Sequence, residues 1–173
     1  MVTDRCPGLA PRGARGDAAG LVIRPVQERD LGWLVELERL IFGNVSYPYF
    51  VLRQLFDIHQ RHWLVAERDD QPCGYVLGAP SSDGHSGWLL GLGVHPDHRG
   101  LGLGAELTAR SLRLLRDAAV RQVRLTVEPD SAVLVRLYEA AGFRVERTVR
   151  DYLGPGEDRT IMVAHLDPYA DLP

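Results

Sequence analysis

Apolar residues recur along the chain in blocks whose spacing alternates between that of strands and that of helices. The first block, residues 21–26, is a short apolar-rich run that predicts a strand. From Asp30 onward, apolar residues return at positions 31, 34, 35, 37, 40 and 41, which is helical spacing. After a break at 43–48 the helical pattern resumes over 49–59. We therefore expect one strand followed by two helices.

Two polar turns separate three strand-like runs in the middle of the chain. Residues 63–66 and 74–77 flank the polar segment 68–72, and this arrangement predicts a hairpin. A second polar turn, 81–86, leads into residues 88–94, which are mostly apolar without alternation, as in a strand covered on both faces. The simplest interpretation is three consecutive antiparallel strands.

The next segment predicts the longest helix, over 104–119. Its apolar stripe would consist of Leu103, Leu107, Leu114 and Ala118. Opposite charges four residues apart would face solvent in the pairs Glu106/Arg110 and Arg113/Asp117. Residues 123–127 predict another strand, and because a strand, a helix and a strand follow one another over 88–127, these two strands should be parallel with a right-handed crossover.

The last part of the chain completes an α/β (α+β) pattern. Residues 131–141 predict a helix that stops at Gly142, and 143–149 and 160–166 predict a final strand pair around the turn at 154–156. The whole pattern predicts a mixed, mostly antiparallel sheet of about seven strands flanked by about four helices.

Length and composition support one ordinary globular domain. The 173 residues suffice for a single core, which we place at 21–167. Residues 1–20, rich in Gly, Pro, Ala and Arg without periodicity, are expected to be a disordered tail, and 168–173 a short C-terminal tail. With 45% hydrophobic and 25% charged residues and a net charge of -3, no general affinity for nucleic acid is expected.

Targeting and metal signals are weak. No apolar run is long enough for a membrane helix, and the N-terminus lacks the apolar stretch of a secretory signal, so we expect a cytoplasmic protein without a membrane partner. Cys6 and Cys73 lie in unrelated contexts. His95 and His98 have no third ligand at a suitable spacing, so we expect no metal.

Three alternating glycines mark the candidate binding loop. Gly100, Gly102 and Gly104 lie directly after the predicted strand 88–94 and at the head of the longest predicted helix. Unpaired backbone N–H groups and the positive end of the helix dipole favour an anion there. The spacing differs from the G-x-G-x-x-G dinucleotide fingerprint, and no G-x-x-x-x-G-K-[ST] sequence is present. Taken alone, the loop could equally be a plain tight turn.

The wider context supplies a family resemblance. The sequence Arg99-Gly100-Leu101-Gly102-Leu103-Gly104, preceded by Val94-His95-Pro96, resembles the acetyl-CoA pyrophosphate motif (R/Q-x-x-G-x-G/A) of the GCN5-related N-acetyltransferase (GNAT) superfamily. The resemblance extends from about Leu21 to about Leu166 and includes the ending Leu137-Tyr138-Glu139-Ala140-Ala141-Gly142-Phe143. It implies the GNAT fold and an enzyme that moves an acetyl group from acetyl-CoA to a primary amine by direct attack. The sequence leaves open whether the protein is a monomer or a homodimer.

The resemblance also implies residues on the acetyl-CoA side. Leu92 and Val94 would pair their backbone with the pantetheine arm, and the pyrophosphate would be held by the amides of Arg99, Gly100, Leu101, Gly102, Leu103 and Gly104. Arg99 would either add charge or remain a solvated loop arginine. Ser131 stands where such enzymes usually carry an asparagine that contacts the cofactor. Its equally weighted alternative, with Asp130, is to cap the following helix.

Tyr138 is the candidate for proton donation. Family members of this pattern use a tyrosine here as the general acid that protonates the departing CoA thiolate. The alternative is a tyrosine that only packs, with its hydroxyl hydrogen-bonded. Either interpretation places Tyr138 in the predicted helix 131–141.

The general base is left open by the sequence. The chain is similar to the branch that acetylates ribosomal-protein N-termini, on the basis of its length, its Leu-Tyr-Glu-x-x-Gly-Phe ending and its segment 151–158. That branch typically carries a glutamate where this chain has Thr126. Glu128 faces the same side of the strand and is a candidate substitute, with a solvated strand-end glutamate as the alternative. Glu67 and His85 are weaker candidates.

Aromatic residues at the elbow between the first two helices mark the expected acceptor groove. We expect Tyr47 and Tyr49 to contact the acceptor, and Phe42 and Phe50 to fill the core. Tyr152 would line the opposite rim beside Glu157 and Asp158, whose acidity suits a cationic amine.

Several functions are compatible with these residues. Protein or peptide N-termini are the favoured acceptors, with a small-molecule amine or an antibiotic as the alternative. A non-catalytic acyl-CoA-binding sensor is a further alternative, motivated by Thr126. A dinucleotide-dependent oxidoreductase is disfavoured because its glycine-rich turn would follow the first strand.

Overall fold

The computed structural model describes residues 20–166 and contains one seven-stranded sheet flanked by four helices. The strands are β1 (Leu21–Pro25), β2 (Trp63–Arg68), β3 (Gln71–Pro80), β4 (Ser86–Val94), β5 (Gln122–Val127), β6 (Arg144–Val149) and β7 (Arg159–His165). The helices are α1 (Leu31–Phe42), α2 (Tyr49–His59), α3 (Leu103–Asp117) and α4 (Ala132–Ala140). The predicted mostly antiparallel sheet is therefore confirmed. The tails expected at 1–20 and 168–173 lie outside the described residues, apart from Gly20.

The sheet order is β1-β2-β3-β4-β5-β7-β6, so β7 lies between β5 and β6. The hairpin between β2 and β3 is tighter than the predicted turn at 68–72, because only Asp69 and Asp70 separate the two strands. Both have positive φ angles, 51° and 61°, which a two-residue hairpin turn requires and which aspartate tolerates. Strand pairing consequently continues through Arg68 and Gln71.

The sheet opens between β4 and β5. These strands are parallel, as predicted, but they pair only from Ser86↔Gln122 to Trp88↔Arg124. Beyond that point each strand stays bound to its other neighbour, β4 to β3 and β5 to β7. A register shift between β3 and β4 leaves Leu90 as an extra residue at the start of the separation. A wedge-shaped gap therefore runs between the ends of β4 and β5.

Each face of the sheet has its own core. On one face α1 and α2 pack over β2 and β3, with Leu34, Leu52, Trp63 and Tyr75 buried. On the other face α3 and the β5–β7 side enclose Leu107, Leu115, Phe143 and Met162.

Full coverage of β4 on both faces was a wrong expectation. Trp88, Leu90, Leu92 and Val94 are only half-buried, because the separation from β5 leaves them on the wall of the gap.

The predicted stripe of α3 is right in its first half only. Leu103 and Leu107 are buried, but Leu114 is half-buried and Ala118 is exposed. The residues that complete the buried side are Thr108, Ser111, Leu112 and Leu115. The physical reason lies in β3, where a Cβ on Gly78 would be 3.0 Å from Ser111 Oγ and 3.3 Å from Leu115. Gly78 and Ser111 thus let α3 approach the sheet closely. The buried side of α3 therefore includes small and polar residues, and the positions of its apolar residues alone do not predict it.

Candidate active site

A cleft of about 1180 Å³ occupies the gap between β4 and β5. One end is formed by the loop at 98–105, and the other by the α1–α2 connection and the β6–β7 loop. This volume is large enough for an extended ligand rather than a single small molecule. The separation of two strands, which is a property of the sheet, therefore creates the main candidate site.

The loop before α3 has the backbone geometry of an anion site. Gly100 and Gly102 both have φ angles of +76°, which glycine adopts without strain. Gly102 is the N-cap of α3 and has no side chain to pair with the first helical N–H groups. A Cβ on Gly104 would lie 3.6 Å from Leu137 and 3.9 Å from Leu92, so this residue closes the loop against the cleft wall. The exposed amides and the helix dipole favour an anion at this end.

Most of the residues predicted to bind the cofactor lie together on this wall. They are Leu92, Val94, Arg99, Gly100, Gly102, Leu103, Gly104 and Ser131. Leu101 differs, because its side chain is exposed and does not line the cleft. Arg99 Nε donates a hydrogen bond to the carbonyl of Val94 at 3.2 Å, which ties the loop to the end of β4. Ser131 lines the cleft and makes no side-chain cap on α4.

An apolar strip connects the loop to the middle of the cleft. It consists of Leu92 on β4 together with Val133, Leu134 and Leu137 on α4. Val133 and Leu134 are exposed although they are large and apolar. Such residues on a concave surface indicate contact with an apolar part of a ligand.

Tyr138 lies behind this strip. Its side chain is 6% exposed, and its ring packs edge-on against Phe143 at a centroid distance of 5.6 Å. Burial raises the pKa of Tyr138 above its usual value, so the phenol stays protonated. Its neighbours Leu134 and Leu137 reach the cleft wall, but Tyr138 is not part of that wall.

The base candidates from the sequence separate into two groups. Thr126 and Glu128 both line the cleft, as their shared strand face predicts, and Glu128 is exposed after the end of β5. Glu67 and His85 lie elsewhere. Glu67 is bonded to Arg24, and the carbonyl of His85 accepts hydrogen bonds from the amides of 121 and 122.

A buried glutamate at the cleft was missed by sequence reasoning. Glu38 on α1 is 2% exposed and lines the cleft. Its Oε2 accepts the backbone N–H of Tyr47 at 2.9 Å, and its Oε1 accepts the hydroxyl of Tyr75. Burial raises the pKa of Glu38, although both hydrogen bonds act in the opposite direction. The available signal was a carboxylate on the apolar side of α1, in line with Leu34 and Ile41.

The end of the cleft where the acceptor was expected contains two of the three predicted tyrosines. Tyr47 and Tyr152 line it, whereas Tyr49 is exposed outside it. Burial raises the pKa of Tyr47, and its neighbours Glu38 and Tyr152, which line the same cleft, raise it further. The expectation that Phe50 fills the core is wrong. Phe50 is 64% exposed because α2 begins at Tyr49 and turns Leu52, not Phe50, inward.

The opposite rim is less acidic than expected. Arg159, at the start of β7, is 7% exposed and lines the cleft, and its guanidinium bonds Glu157 Oε2 at 3.0 Å. Asp158 accepts the backbone N–H of Asp151 at 2.9 Å. Glu157 and Asp158 therefore hold the β6–β7 loop and a buried arginine rather than presenting free carboxylates.

Within residues 20–166, no group of three or more His, Cys, Asp or Glu side chains is arranged to hold a metal ion. In the same range, no helix is long and apolar enough to span a membrane.

Comparison with known proteins places these features in a family. The family model described as Acetyltransferase (GNAT) family matches residues 33–143. A protein of Methanocaldococcus jannaschii named uncharacterized N-acetyltransferase MJ1530 is 29% identical over 148 residues, with coverage of 83% of this chain and 90% of the relative. An N-alpha-acetyltransferase of Sulfurisphaera tokodaii is 26% identical over 157 residues, with coverage of 83% and 92%.

Mycothiol acetyltransferases are also similar, over part of their length. The protein of that name from Acidothermus cellulolyticus is 39% identical over 164 residues, with coverage of 83% of this chain and 50% of the relative. The chain thus spans about half the length of that relative.

Solved structures share the fold at low sequence identity. Ard1 from Thermoplasma volcanium has a TM-score of 0.79 at 19% identity, covering 86% of this chain and 99% of that chain. The ribosomal-protein-alanine N-acetyltransferase from Brucella melitensis has a TM-score of 0.72 at 23% identity, covering 84% and 98%. The structure of yncA from Salmonella typhimurium, solved with its cofactor acetyl-CoA, has a TM-score of 0.73 at 22% identity, covering 89% and 98%.

Proposed function

Because the chain belongs to the acetyltransferase (GNAT) family, we propose that it transfers the acetyl group of acetyl-CoA to the free N-terminus of a protein or peptide. The observation that carries the proposal is the continuity of one cleft. An anion-binding loop, an apolar strip and an acceptor end with tyrosines follow one another along the gap between β4 and β5.

The residues of the cleft fit acetyl-CoA. The unpaired amides around Gly102 would hold its pyrophosphate, and Leu92, Leu134 and Leu137 would contact its pantetheine arm. Ser131, whose hydroxyl is not used in capping, would add a polar contact. When bound, acetyl-CoA supplies the thioester whose acetyl group is transferred.

Tyr138 supplies the proton for the leaving thiolate in this proposal. A general acid must be protonated at the start of the reaction, and burial keeps the phenol in that state. Packing against Phe143 holds the ring directly behind the cleft wall, next to Leu137, which lines the cleft. For proton removal from the amine, the candidates are the exposed Glu128 and the buried Glu38.

The peptide acceptor is supported by the relatives that the chain matches over nearly their whole length. The protein named N-alpha-acetyltransferase is covered to 92%. Tyr47 and Tyr152 on facing elements leave the acceptor end open between the α1–α2 connection and the β6–β7 loop, as an extended chain end would need. Cys73 is a free buried thiol, which suits a reducing cytoplasm.

A small-molecule amine is the second candidate acceptor. It is supported by the 39% identity to a mycothiol acetyltransferase, although only about half of that relative is matched.

The discriminating experiment uses the purified chain, acetyl-CoA and a panel of short peptides that differ in their first residue. Release of the CoA thiol and a mass increase of one acetyl group on the peptide are expected. Matched peptides with a blocked N-terminus should give neither signal. Transfer confined to small amines would favour the second acceptor class. Tight acetyl-CoA binding without transfer to any amine would favour a non-catalytic sensor.

A further inference from the structure

We propose that the Glu38 carboxylate takes the proton from the ammonium group of the incoming acceptor, and that Tyr75 positions Glu38 for this step. The inference deepens the proposed function and rests on it. Glu38 projects from α1, Tyr75 from β3, and their contact lies on the face of the sheet covered by α1 and α2.

Glu38 is fixed at both oxygens. The amide of Tyr47 binds Oε2 and the hydroxyl of Tyr75 binds Oε1. A carboxylate oxygen has two acceptor positions, so each oxygen keeps one for a further donor. Glu38 is one of the residues that line the cleft, and an ammonium group bound there is a donor of the kind that would use this remaining capacity.

Strand β4 determines where the Tyr75 hydroxyl, which binds Glu38, can lie. A Cβ on Gly91 would lie 2.7 Å from the hydroxyl oxygen of Tyr75, so the hydroxyl occupies the space that a side chain would fill. Gly91 directly follows Leu90, the extra residue where β4 begins to separate from β5. The hydroxyl that holds Glu38 therefore lies against β4 where the sheet opens into the cleft.

The charge of Glu38 is uncompensated within the described part of the chain. Three charged side chains are buried there, Asp30, Glu38 and Arg159. Asp30 pairs with Arg24 at 2.7 Å and Arg159 with Glu157 at 3.0 Å, whereas Glu38 forms no ion pair in residues 20–166. A buried carboxylate without a cation is costly, and a cationic acceptor would supply the missing partner.

Glu128 is less suited to this role. It is exposed beyond the end of β5, where water competes for its lone pairs. Glu38 is held by two elements before any acceptor arrives, which is the arrangement that proton transfer within a cleft requires.

The proposed reaction is balanced in protons and bonds. The acceptor ammonium gives one proton to Glu38 and becomes a neutral amine. The amine nitrogen forms a bond to the acetyl carbonyl carbon, and the bond between that carbon and the CoA sulfur breaks. Tyr138 gives its proton to the sulfur and regains one from the acylated nitrogen. Glu38 releases its proton to solvent, so the net products are an amide, the CoA thiol and one proton.

Several polar and charged groups lie on the elements around this carboxylate. Tyr75 from β3 and Tyr47 from the α1–α2 connection bind it directly. Tyr152 and Arg159 from the β6–β7 side, and Glu128 after β5, line the same cleft. Burial raises the pKa of Glu38, and the hydrogen bond from Tyr75 lowers it. Loss of that bond should therefore keep Glu38 protonated to higher pH.

The test compares the pH profile of kcat/KM for peptide acetylation in three variants and the native chain. Glu38→Gln should lower kcat/KM by about 100-fold or more across the profile, as for loss of a general base. Tyr75→Phe should shift the acidic limb to higher pH and recover activity on the alkaline side. Glu36→Gln, on the exposed side of α1, should reproduce the native profile.

Thermal unfolding and acetyl-CoA binding should be measured on every variant. An unshifted Tyr75→Phe profile, or a folded Glu38→Gln variant with native rates, would overturn the inference while native transfer still supported the proposed function. If Glu38→Gln fails to fold, the direction of the Tyr75→Phe shift decides. A native chain that transfers to no amine overturns the proposed function and this inference together.

Discussion

A side-chain Cβ on Gly93 would lie 2.6 Å from Cε1 of Tyr75, because β3 and β4 pair these two residues across the sheet. The tyrosine ring thus lies flat on the backbone of β4. Its far end, the hydroxyl, reaches Glu38. Because Gly93 has no side chain, the Tyr75 ring has room to pack on β4 and hold the Glu38 carboxylate at the cleft.

Gly93→Ala should therefore destabilise the protein. The added methyl group cannot fit between β4 and a fully buried ring, and overpacking of this kind costs about 1–3 kcal/mol. Urea unfolding measures the loss. Gly32→Ala is the matched control, because a Cβ there meets nothing within 4 Å and alanine in a helix gains about 0.5–1 kcal/mol. Native stability of Gly93→Ala would show that the ring does not lie on β4.

The elements were predictable where local spacing decides them. All four helices and seven strands follow from apolar periodicity and turn residues, and the parallel β4–β5 pair follows from the strand–helix–strand order of this segment. The insertion of β7 between β5 and β6 was not predictable, because it depends on which distant strand edge is free. The same limit applies to α3, whose buried side is set by Gly78 on β3.

The site was predictable where its chemistry lies in one segment. The loop at 99–104 combines glycine spacing with a helix start, so its anion-binding geometry is local. Glu38 and Tyr75 lie far apart in sequence and meet only through packing of α1 on the sheet. Each alone suggests an ordinary helix or strand residue. Tyr49 and Phe50 were expected at the acceptor groove and in the core because they belong to an aromatic cluster in the sequence. Both are exposed, because α2 begins at Tyr49 and directs their side chains outward.

Gly102→Ala should weaken acetyl-CoA binding. Alanine in the left-handed conformation that Gly102 adopts costs roughly 1–2 kcal/mol, so the loop would relax and misalign its amides. A loss of this size corresponds to about tenfold in affinity, measurable by calorimetry. Gly84→Ala is the control, because Gly84 has φ of +72° and open space but lies in the turn before β4. Equal loss of affinity in both variants would mean that the effect is only global destabilisation.

Tyr138→Phe should keep acetyl-CoA affinity and lose turnover. The ring contact with Phe143 is retained, so folding should be close to native, whereas loss of a general acid lowers kcat by about 100-fold or more. Single-turnover transfer to a peptide and acetyl-CoA titration separate the two quantities. Turnover equal to that of the native chain would leave Tyr138 with a packing role only.

The two buried acids should give opposite pH dependences of stability. Burial raises the pKa of Asp30, but hydrogen bonds from Arg24 and the amide of Gln27, with the charges of Arg24 and Arg29, outweigh it and lower the pKa. The stability that ionised Asp30 contributes is therefore present above the pKa that Asp30 has in the unfolded chain. It is lost as pH falls through the pKa of Asp30 in the folded protein. Asp30→Asn should cost about 3 kcal/mol near neutral pH and less in acid.

The pH dependence of stability that comes from Glu38 has the opposite sign, because burial raises the pKa of Glu38 in the folded state. Stability from protonated Glu38 is fully present below the unfolded pKa and is lost as pH rises through the folded pKa. The non-titrating Glu38→Gln variant should therefore gain stability relative to the native chain as pH increases from about 4 to 8. Urea unfolding of both proteins across this range measures the difference. A difference that does not change with pH would show that the Glu38 carboxyl titrates as in the unfolded chain, and that its burial and hydrogen bonds cancel.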